Sequence, residues 1–71
     1  MRTMSRMQDI KQLVYDISEL LPIEDSFNLC SVEAYPVLLD DEWVLGEVNK
    51  KLKKFGVELE LVVDQIMINK L

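Results

Sequence analysis

The segment 50–55 reads KKLKKF and is the most concentrated basic stretch of the chain. Ammonium groups bind phosphate oxygens, so such a block is typical of a surface that contacts nucleic acid. A second interpretation is that these residues end a helix that opens with acids, because the helix dipole favours cations in the last turn by about 0.3–1 kcal/mol each. The four side chains concerned are Lys50, Lys51, Lys53 and Lys54.

The surrounding charges favour the second interpretation. Residues 12–49 contain nine acidic residues and no Lys or Arg, and the whole chain has a net charge of −5. A polyanion would therefore meet a repulsive field, and we expect Phe55 to face the core and leave no aromatic platform among the lysines. We accordingly expect no nucleic-acid partner. A nucleic-acid-binding module that uses the four lysines remains the alternative.

The acidic stretch itself predicts an anionic face that docks a protein partner. Tryptophan on an exposed helix face is a common anchor of such interfaces, and Trp43 falls far from the apolar stripe of its predicted helix. Two other readings stay open: acidity that serves solubility alone, and a Trp43 that folds over the loop before it. The candidate partner-binding residues are Trp43, Asp40, Asp41, Glu42, Glu47 and Tyr15.

The chain lacks the residue sets that catalysis commonly uses. It has no histidine, and its single cysteine, Cys30, lies in an apolar segment typical of a core. Gly46 and Gly56 stand alone, so no glycine-rich phosphate loop is predicted, and carboxylates at 40–42 splay around a helix start. We therefore expect no enzymatic activity, no catalytic residue, no metal and no cofactor.

The elements that position these residues follow from periodicity. Apolar residues at three- and four-residue steps predict a helix from about Arg6 to Leu21, opened by a capping box of Ser5 and Gln8 and stopped by Pro22. Tyr15 falls on its polar face. A second helix is predicted from Asp40 or Asp41 to Phe55, with Gly56 as its left-handed closing residue.

Strands are predicted on either side of the second helix. SFNLCSV favours a strand at about 27–33, and VELELVV at 57–63 alternates, with Val57, Leu59, Leu61 and Val63 on one side. Asp64-Gln65 is a poor pair for a tight turn. The last eight residues suit a third strand in a final hairpin, although helix is not excluded there by pattern alone.

This order predicts a single α+β domain over residues 1–71, with the order α-β-α-β-(β). Two amphipathic helices would pack on one face of a two- or three-stranded sheet. The first two strands could lie parallel, joined by a right-handed crossover. Ile66, Met67 and Ile68 would then form an edge strand open to a second copy.

Thirty-five of the 71 residues are apolar, which is a large fraction for one small core, so we expect a homo-oligomer, most simply a dimer. No apolar run is long enough to span a membrane, and a lone cysteine fits the cytoplasm. No stretch is specific enough to identify a family. The sequence therefore favours a non-enzymatic, acidic protein-binding module, acting as a regulator, inhibitor or adaptor, or else a structural subunit of a larger assembly.

Overall fold

The computed structural model describes residues 2–71, and side chains from Arg6 onward. Two α-helices and three strands follow one another in the order α-β-α-β-β, which confirms the predicted α+β class. Short 3₁₀ turns connect several of them, at Val32–Ala34, Pro36–Leu39 and Lys53–Phe55. The helices and strands are α1 (Arg2–Ser18), β1 (Phe27–Ser31), α2 (Glu42–Leu52), β2 (Val57–Val62) and β3 (Gln65–Lys70).

The three strands form one antiparallel sheet in the order β1-β3-β2. Because β1 and β2 each run antiparallel to β3, they run parallel to each other, with β3 between them. The sequence left this shared direction open as one possibility, and it did not predict the strand that separates the pair. The last residues are therefore strand, and β3 closes a hairpin with β2 while it also pairs with β1.

The central place of β3 contradicts the predicted dimer edge. Ile66 and Ile68 are fully buried on the core face, and Met67 is half-buried on the opposite face. Both sides of β3 are already paired, since Ile66 lies opposite Leu61 on β2 and Cys30 on β1. The free edges of the sheet are those of β1 and β2.

The core lies between the two helices and one face of the sheet. It is purely aliphatic within the described part of the chain, and this layer arrangement confirms that both helices pack on the same face. The opposite face of β2 and β3 carries polar residues such as Glu58, Glu60 and Asn69. The buried residues are Ile10, Leu13, Ile17, Val32, Val37, Leu38, Val44, Val48, Leu52, Val57, Leu59, Ile66 and Ile68.

Helix α1 begins and ends earlier than the periodicity predicted. Its backbone is helical from Arg2, so the predicted N-cap position at Ser5 falls inside the helix, and the side chain of Ser5 lies outside the described part. The last turn tightens at Ser18, where the Leu20 N–H bonds the Ile17 carbonyl at 2.9 Å and the chain leaves the helical path. Leu20 is consequently exposed. The helix ends at Ser18, before Pro22, so the proline is not the residue that stops it.

Strand β1 stops at Ser31, two residues before the predicted end. The Ser31 side chain accepts a hydrogen bond from the Glu33 N–H, which turns the backbone into a 3₁₀ turn. The Val32 N–H then bonds the Asp64 carbonyl at 2.8 Å and ties this turn to the β2–β3 connection.

Helix α2 is shorter than predicted and finishes in a 3₁₀ turn over Lys53–Phe55. Asp41 is its N-cap residue, with extended backbone. Glu42 stands in the first turn and lysines stand in the last, as the helix dipole favours. Gly56 has φ of +80°, which confirms its predicted role as a left-handed closing residue.

The hairpin between β2 and β3 turns through Val63 and Asp64. Val63 was predicted to continue the apolar side of the strand, but it lies in the turn and is almost completely exposed. Its φ of +59° is a left-handed conformation that crowds a β-branched side chain. Glycine is the residue that such a first turn position prefers.

Replacing Val63 with Gly should therefore raise the free energy of unfolding by about 0.5–1 kcal/mol, because the strain of a left-handed valine disappears. Urea denaturation monitored by circular dichroism measures the change. Val62→Gly is the matched control, and it should destabilise because Val62 has strand geometry. A Val63→Gly variant less stable than the parent protein would contradict the turn described here.

One side chain of α2 pairs with the free edge of the sheet. The Asn49 amide donates to the Leu59 carbonyl at 3.0 Å, and the Leu59 N–H donates to Asn49 Oδ1 at 2.7 Å. The edge strand β2 thus has both outward groups of Leu59 satisfied by α2, which protects that edge from a further strand. Nothing in the hydrophobic pattern distinguishes Asn49 from a solvated polar residue.

Asn49→Ala should destabilise the protein by about 1–3 kcal/mol, because two partly buried backbone groups lose their partner. Asn69→Ala is the control, since its amide makes one exposed bond, to Glu60 at 3.0 Å, and its loss should change stability by less than about 0.5 kcal/mol. Equal effects of the two substitutions in urea denaturation would show that the Asn49–Leu59 pair carries no special stability.

Candidate binding surfaces on the two flanks of α2

Helix α2 buries one stripe and leaves two flanks at the surface. Val44, Val48 and Leu52 lie in the core. On one flank α2 lies beside α1, and on the other it lies beside the 3₁₀ turn Pro36–Leu39 and strand β2. The two helices run in roughly the same direction, because Arg6 of α1 meets the start of α2 and Ser18 lies near its end. Each flank borders a concave surface.

We call the first surface the lysine groove. It is an open trough of about 590 Å³ between α1 and α2, extended by the 3₁₀ turn that follows α2. It brings a lysine of α1 together with three of the four lysines of the basic block. Its lining is Lys11, Val14, Tyr15, Ser18, Glu47, Lys50, Lys51, Lys54 and Phe55.

The lysine groove contains both charged side chains and aromatic rings. Lys51 pairs with Glu47 at 3.3 Å, and the Lys54 ammonium lies 5.4 Å from the centre of the Phe55 ring. Phe55 is 42% exposed, so the prediction that it faces the core was wrong, and so was the inference that the lysines lack an aromatic neighbour. Tyr15 supplies a second exposed ring from α1. Tyr15 was predicted to contact a protein partner, and an exposed tyrosine is suited to binding.

Lys53 is separated from the groove. It lines a different hollow on the sheet side, with Asn49, Lys50, Glu58 and Leu71. The 3₁₀ turn directs successive side chains about 120° apart, which parts Lys53 from Lys54. Lys50 lines both hollows, so the basic block is divided between two adjacent surfaces. Leu52 in its middle is fully buried, as predicted.

We call the second surface the leucine cleft. It is a hollow of about 310 Å³ where the end of the 3₁₀ turn Pro36–Leu39, the first turns of α2 and strand β2 meet. Leu39 is 64% exposed beside it, and Leu45 and Leu61 are half-buried. Its lining is Leu38, Leu39, Leu45, Leu61, Asp41 and Glu42, and so the charged residues at its border are both acidic among the side chains described from Arg6 onward.

A third feature lies where α1 meets the start of α2. The Arg6 guanidinium hydrogen-bonds Asp41, lies 3.8 Å from Asp40 and stacks 6.0 Å from the centre of the Trp43 ring. Asp40 and Asp41 thus face a cation of their own chain, which reduces their use as a docking charge. Trp43 is nearly half exposed, and the Arg6 guanidinium lies against its ring.

The structure therefore divides the predicted partner-binding residues among three places. Tyr15 and Glu47 line the lysine groove, Asp41 and Glu42 border the leucine cleft, and Asp40 and Trp43 surround Arg6. They do not form one acidic face, because residues close in sequence on α2 point to opposite flanks. Glu42 makes no ion pair with the side chains described from Arg6 onward.

Sequence reasoning missed several lining residues. Lys11 and Tyr15 are four apart on α1 and so share a face, which was a usable signal for the α1 side of the groove. Leu39 and Leu45 lie on different elements and Leu61 on a third, so no local pattern could join them. Arg6 was likewise not predicted as the partner of Asp40 and Asp41.

One polar pair fastens α1 to the loop before α2. The Tyr35 hydroxyl donates to Asp16 at 2.6 Å, and Gln12 donates to the same carboxylate at 2.9 Å. These two bonds lower the pKa of Asp16, that from Tyr35 more strongly. The bond to Asp16, with partial burial, raises the pKa of Tyr35 to about 12. Both groups therefore stay in their bonded forms around neutral pH.

Other chemistry is sparse in the described part of the chain. Burial raises the pKa of the half-buried Cys30 thiol, which keeps it protonated and weakly nucleophilic. Among residues 2–71, no three His, Cys, Asp or Glu side chains are grouped to hold a metal ion. The helices described here include none that is both long and apolar enough to cross a membrane.

Comparison with known proteins finds no match to a protein family, to a curated protein or to a solved structure.

Tyr35→Phe should lower the free energy of unfolding at neutral pH, by an amount that shrinks at both pH extremes. The pKa of Asp16 is lowered below 3.8 in the folded protein, so the stability of the pair is present above about pH 4 and is lost as pH falls through the folded value. The pKa of Tyr35 is raised from 10.0 to about 12, so the stability is also lost as pH rises through that interval.

Urea denaturation of the parent protein and the variant across this pH range measures the difference. Tyr15→Phe is the control, because no hydrogen bond of the Tyr15 hydroxyl is present among the described side chains. A Tyr35→Phe effect that stays constant from pH 3 to pH 12 would refute the coupling to Asp16.

Proposed function

We propose that this protein is a non-enzymatic binding module, a small regulator, inhibitor or adaptor, and that the leucine cleft docks a basic amphipathic segment of a protein partner. The observation that carries the proposal is an exposed leucine at a hollow whose charged border, among the described side chains, consists of Asp41 and Glu42. A cytoplasmic setting, where a lone cysteine remains reduced, forms part of the same proposal.

The apolar lining suits the centre of a protein interface. Leu39, Leu45 and Leu61 come from three different elements, so the packed core beneath them holds the shape of the cleft. Interfaces combine an apolar centre with a polar rim, and an apolar side chain entering this hollow would displace water from all three leucines. A helix that presents Leu or Met at three- and four-residue steps is a partner of this shape.

The charge of the border selects the sign of the partner. Glu42 is exposed and without an ion pair among the described side chains, and Asp41 adds a carboxylate that Arg6 partly neutralises. Cations flanking the apolar anchor would therefore meet complementary charge, whereas an acidic segment would be repelled. The proposed docking site keeps the predicted acidic character but consists of Glu42 and the leucine cleft. Trp43 and Tyr15 do not belong to it.

No convergent set of catalytic groups is present among the side chains described from Arg6 onward, which supports a binding role. The chain has no histidine, and burial raises the pKa of its only thiol, Cys30. The carboxylates Asp40 and Asp41 turn to Arg6 rather than to a shared substrate position.

Selection from a random-peptide library tests the proposal with a defined readout. Recovered peptides should carry apolar residues at helical spacing with Lys or Arg between them, and a synthetic copy of one should bind in a fluorescence anisotropy assay. Leu39→Ser and Glu42→Lys should each weaken that peptide by about tenfold, since each removes one half of the recognition.

Leu20→Ser and Glu19→Lys are the matched controls, because they make the same chemical changes at exposed positions outside the cleft. Circular dichroism should be unchanged in all four variants. The proposal would be wrong if the selected peptides were acidic. It would also be wrong if a selected peptide bound the Leu39→Ser variant and the parent protein with equal affinity.

Sedimentation velocity separates a partner from a second copy of the chain. The predicted homodimer remains a proposal, and it would cover Leu39 if it formed through the cleft. Self-association that Leu39→Ser abolishes would assign the cleft to a second copy and overturn the docking of a basic segment.

A further inference from the structure

We propose that the lysine groove binds a small organic phosphate, specifically a flat aromatic ring joined to one or two phosphate groups, of which a nucleotide is the simplest probe. This site lies on the opposite flank of α2 from the leucine cleft and does not depend on the docking of a protein partner.

The groove concentrates positive charge on an acidic protein. Its lining carries four lysines and one glutamate, a local charge of 4 − 1 = +3. The whole chain has a net charge of −5, so the residues outside the groove sum to −5 − 3 = −8. Such a separation attracts an anion to this surface and repels it elsewhere.

Three of the four ammonium groups are available to a ligand. Lys51 is engaged with Glu47 at 3.3 Å, whereas Lys11, Lys50 and Lys54 have no carboxylate within salt-bridge distance among the side chains described from Arg6 onward. Because Lys11 stands on α1, Lys50 on α2 and Lys54 on the 3₁₀ turn that follows α2, they flank the trough from both sides. A phosphate monoester carries about −1.5 to −2 charges at neutral pH. The charge of one or two phosphate groups is therefore comparable to that of these three lysines.

The floor of the groove offers surface for a flat ring. Tyr15 from α1 and Phe55 from the 3₁₀ turn are both substantially exposed, and Val14 lies half-buried between the helices. Exposed aromatic side chains stack with planar rings, and this contact tolerates different ring types. Lys54 already lies against the Phe55 ring at 5.4 Å, so a cation and a stacking surface are adjacent.

Size and charge favour a small ligand over a polynucleotide. The open trough has a volume of about 590 Å³, which is within the range of clefts that hold small molecules. Affinity for a polynucleotide depends on the number of phosphates neutralised, and three free ammonium groups are few. A strand that extended past the groove would meet the remaining charge of −8. Lys53, which a longer basic track would use, lies in another hollow.

The test uses the whole protein and a fluorescent ADP analogue, with unlabelled ADP, adenosine and inorganic phosphate as competitors. ADP should displace the analogue, and adenosine or phosphate alone should each compete at least about tenfold less well, because each offers only one half of the contact. Affinity for ADP should fall as salt rises from about 50 to about 200 mM.

Matched lysine substitutions locate the site. Lys54→Gln and Lys11→Gln should each weaken ADP by about tenfold, and Lys53→Gln, which removes the same charge from the neighbouring residue, should leave affinity within about twofold. Phe55→Leu should reduce the advantage of ADP over inorganic phosphate. Leu39→Ser should leave ADP binding unchanged. The experiment therefore distinguishes failure of the peptide-docking proposal at the leucine cleft from failure of the phosphate-binding proposal at the lysine groove.

Chemical-shift mapping of the unmodified protein supplies a readout that needs no variant. ADP should shift amide signals of residues 11–18 and 47–55 while those around Leu61 stay in place. An absence of ADP binding at millimolar concentration, or equal losses in Lys53→Gln and Lys54→Gln, would overturn the proposal. A twelve-nucleotide single strand that binds far more tightly than ADP would overturn it in favour of a nucleic-acid surface.

Discussion

The two hydrogen bonds between the Asn49 amide and the backbone of Leu59 hold α2 against the edge strand β2 in one rotational setting. The apolar stripe of α2 defines only which side faces the core, and an aliphatic contact without direction tolerates some rotation about the helix axis. A bidentate polar contact has direction, and it restricts that freedom. Everything displayed on the outer sides of α2 depends on this setting.

With α2 held in this setting, residues that are close in sequence point to opposite flanks. Glu42 and Leu45 turn towards β2, whereas Glu47, Lys51 and Lys54 turn towards α1. The same helix thereby borders an acidic, leucine-lined hollow and a basic, aromatic one. Along the chain, an acidic stretch is followed by a basic block. In the folded protein, Glu42 and three of the four lysines of that block border opposite flanks of α2.

Sequence periodicity predicted the α+β class, the order of elements and most of the aliphatic core, because burial of an apolar stripe is a local property of each helix or strand. It failed where hydrogen bonds that the apolar pattern does not encode set the end of a helix or the neighbours of a strand. Tightened turns at Ser18 ended α1 early and left Leu20 exposed, and pairing of β3 with both neighbours put Ile66 and Ile68 in the centre of the sheet. The site was predicted only in pieces: the lysines, Tyr15 and Glu42 were named, but Lys11 and the leucines were not.

The amino-acid sequence by itself determined that the chain has no histidine, one thiol, a long acidic segment and a basic block, since composition and spacing along the chain need no fold. It also determined which faces of the helices must be buried, through the spacing of their apolar residues. Only the tertiary structure decided that Arg6 neutralises Asp40 and Asp41, that Lys11 joins Lys50 and Lys54, and that Lys53 stays apart. Those relations join residues far apart in the chain or separate adjacent ones, and the packing of α1, α2 and β2 sets them.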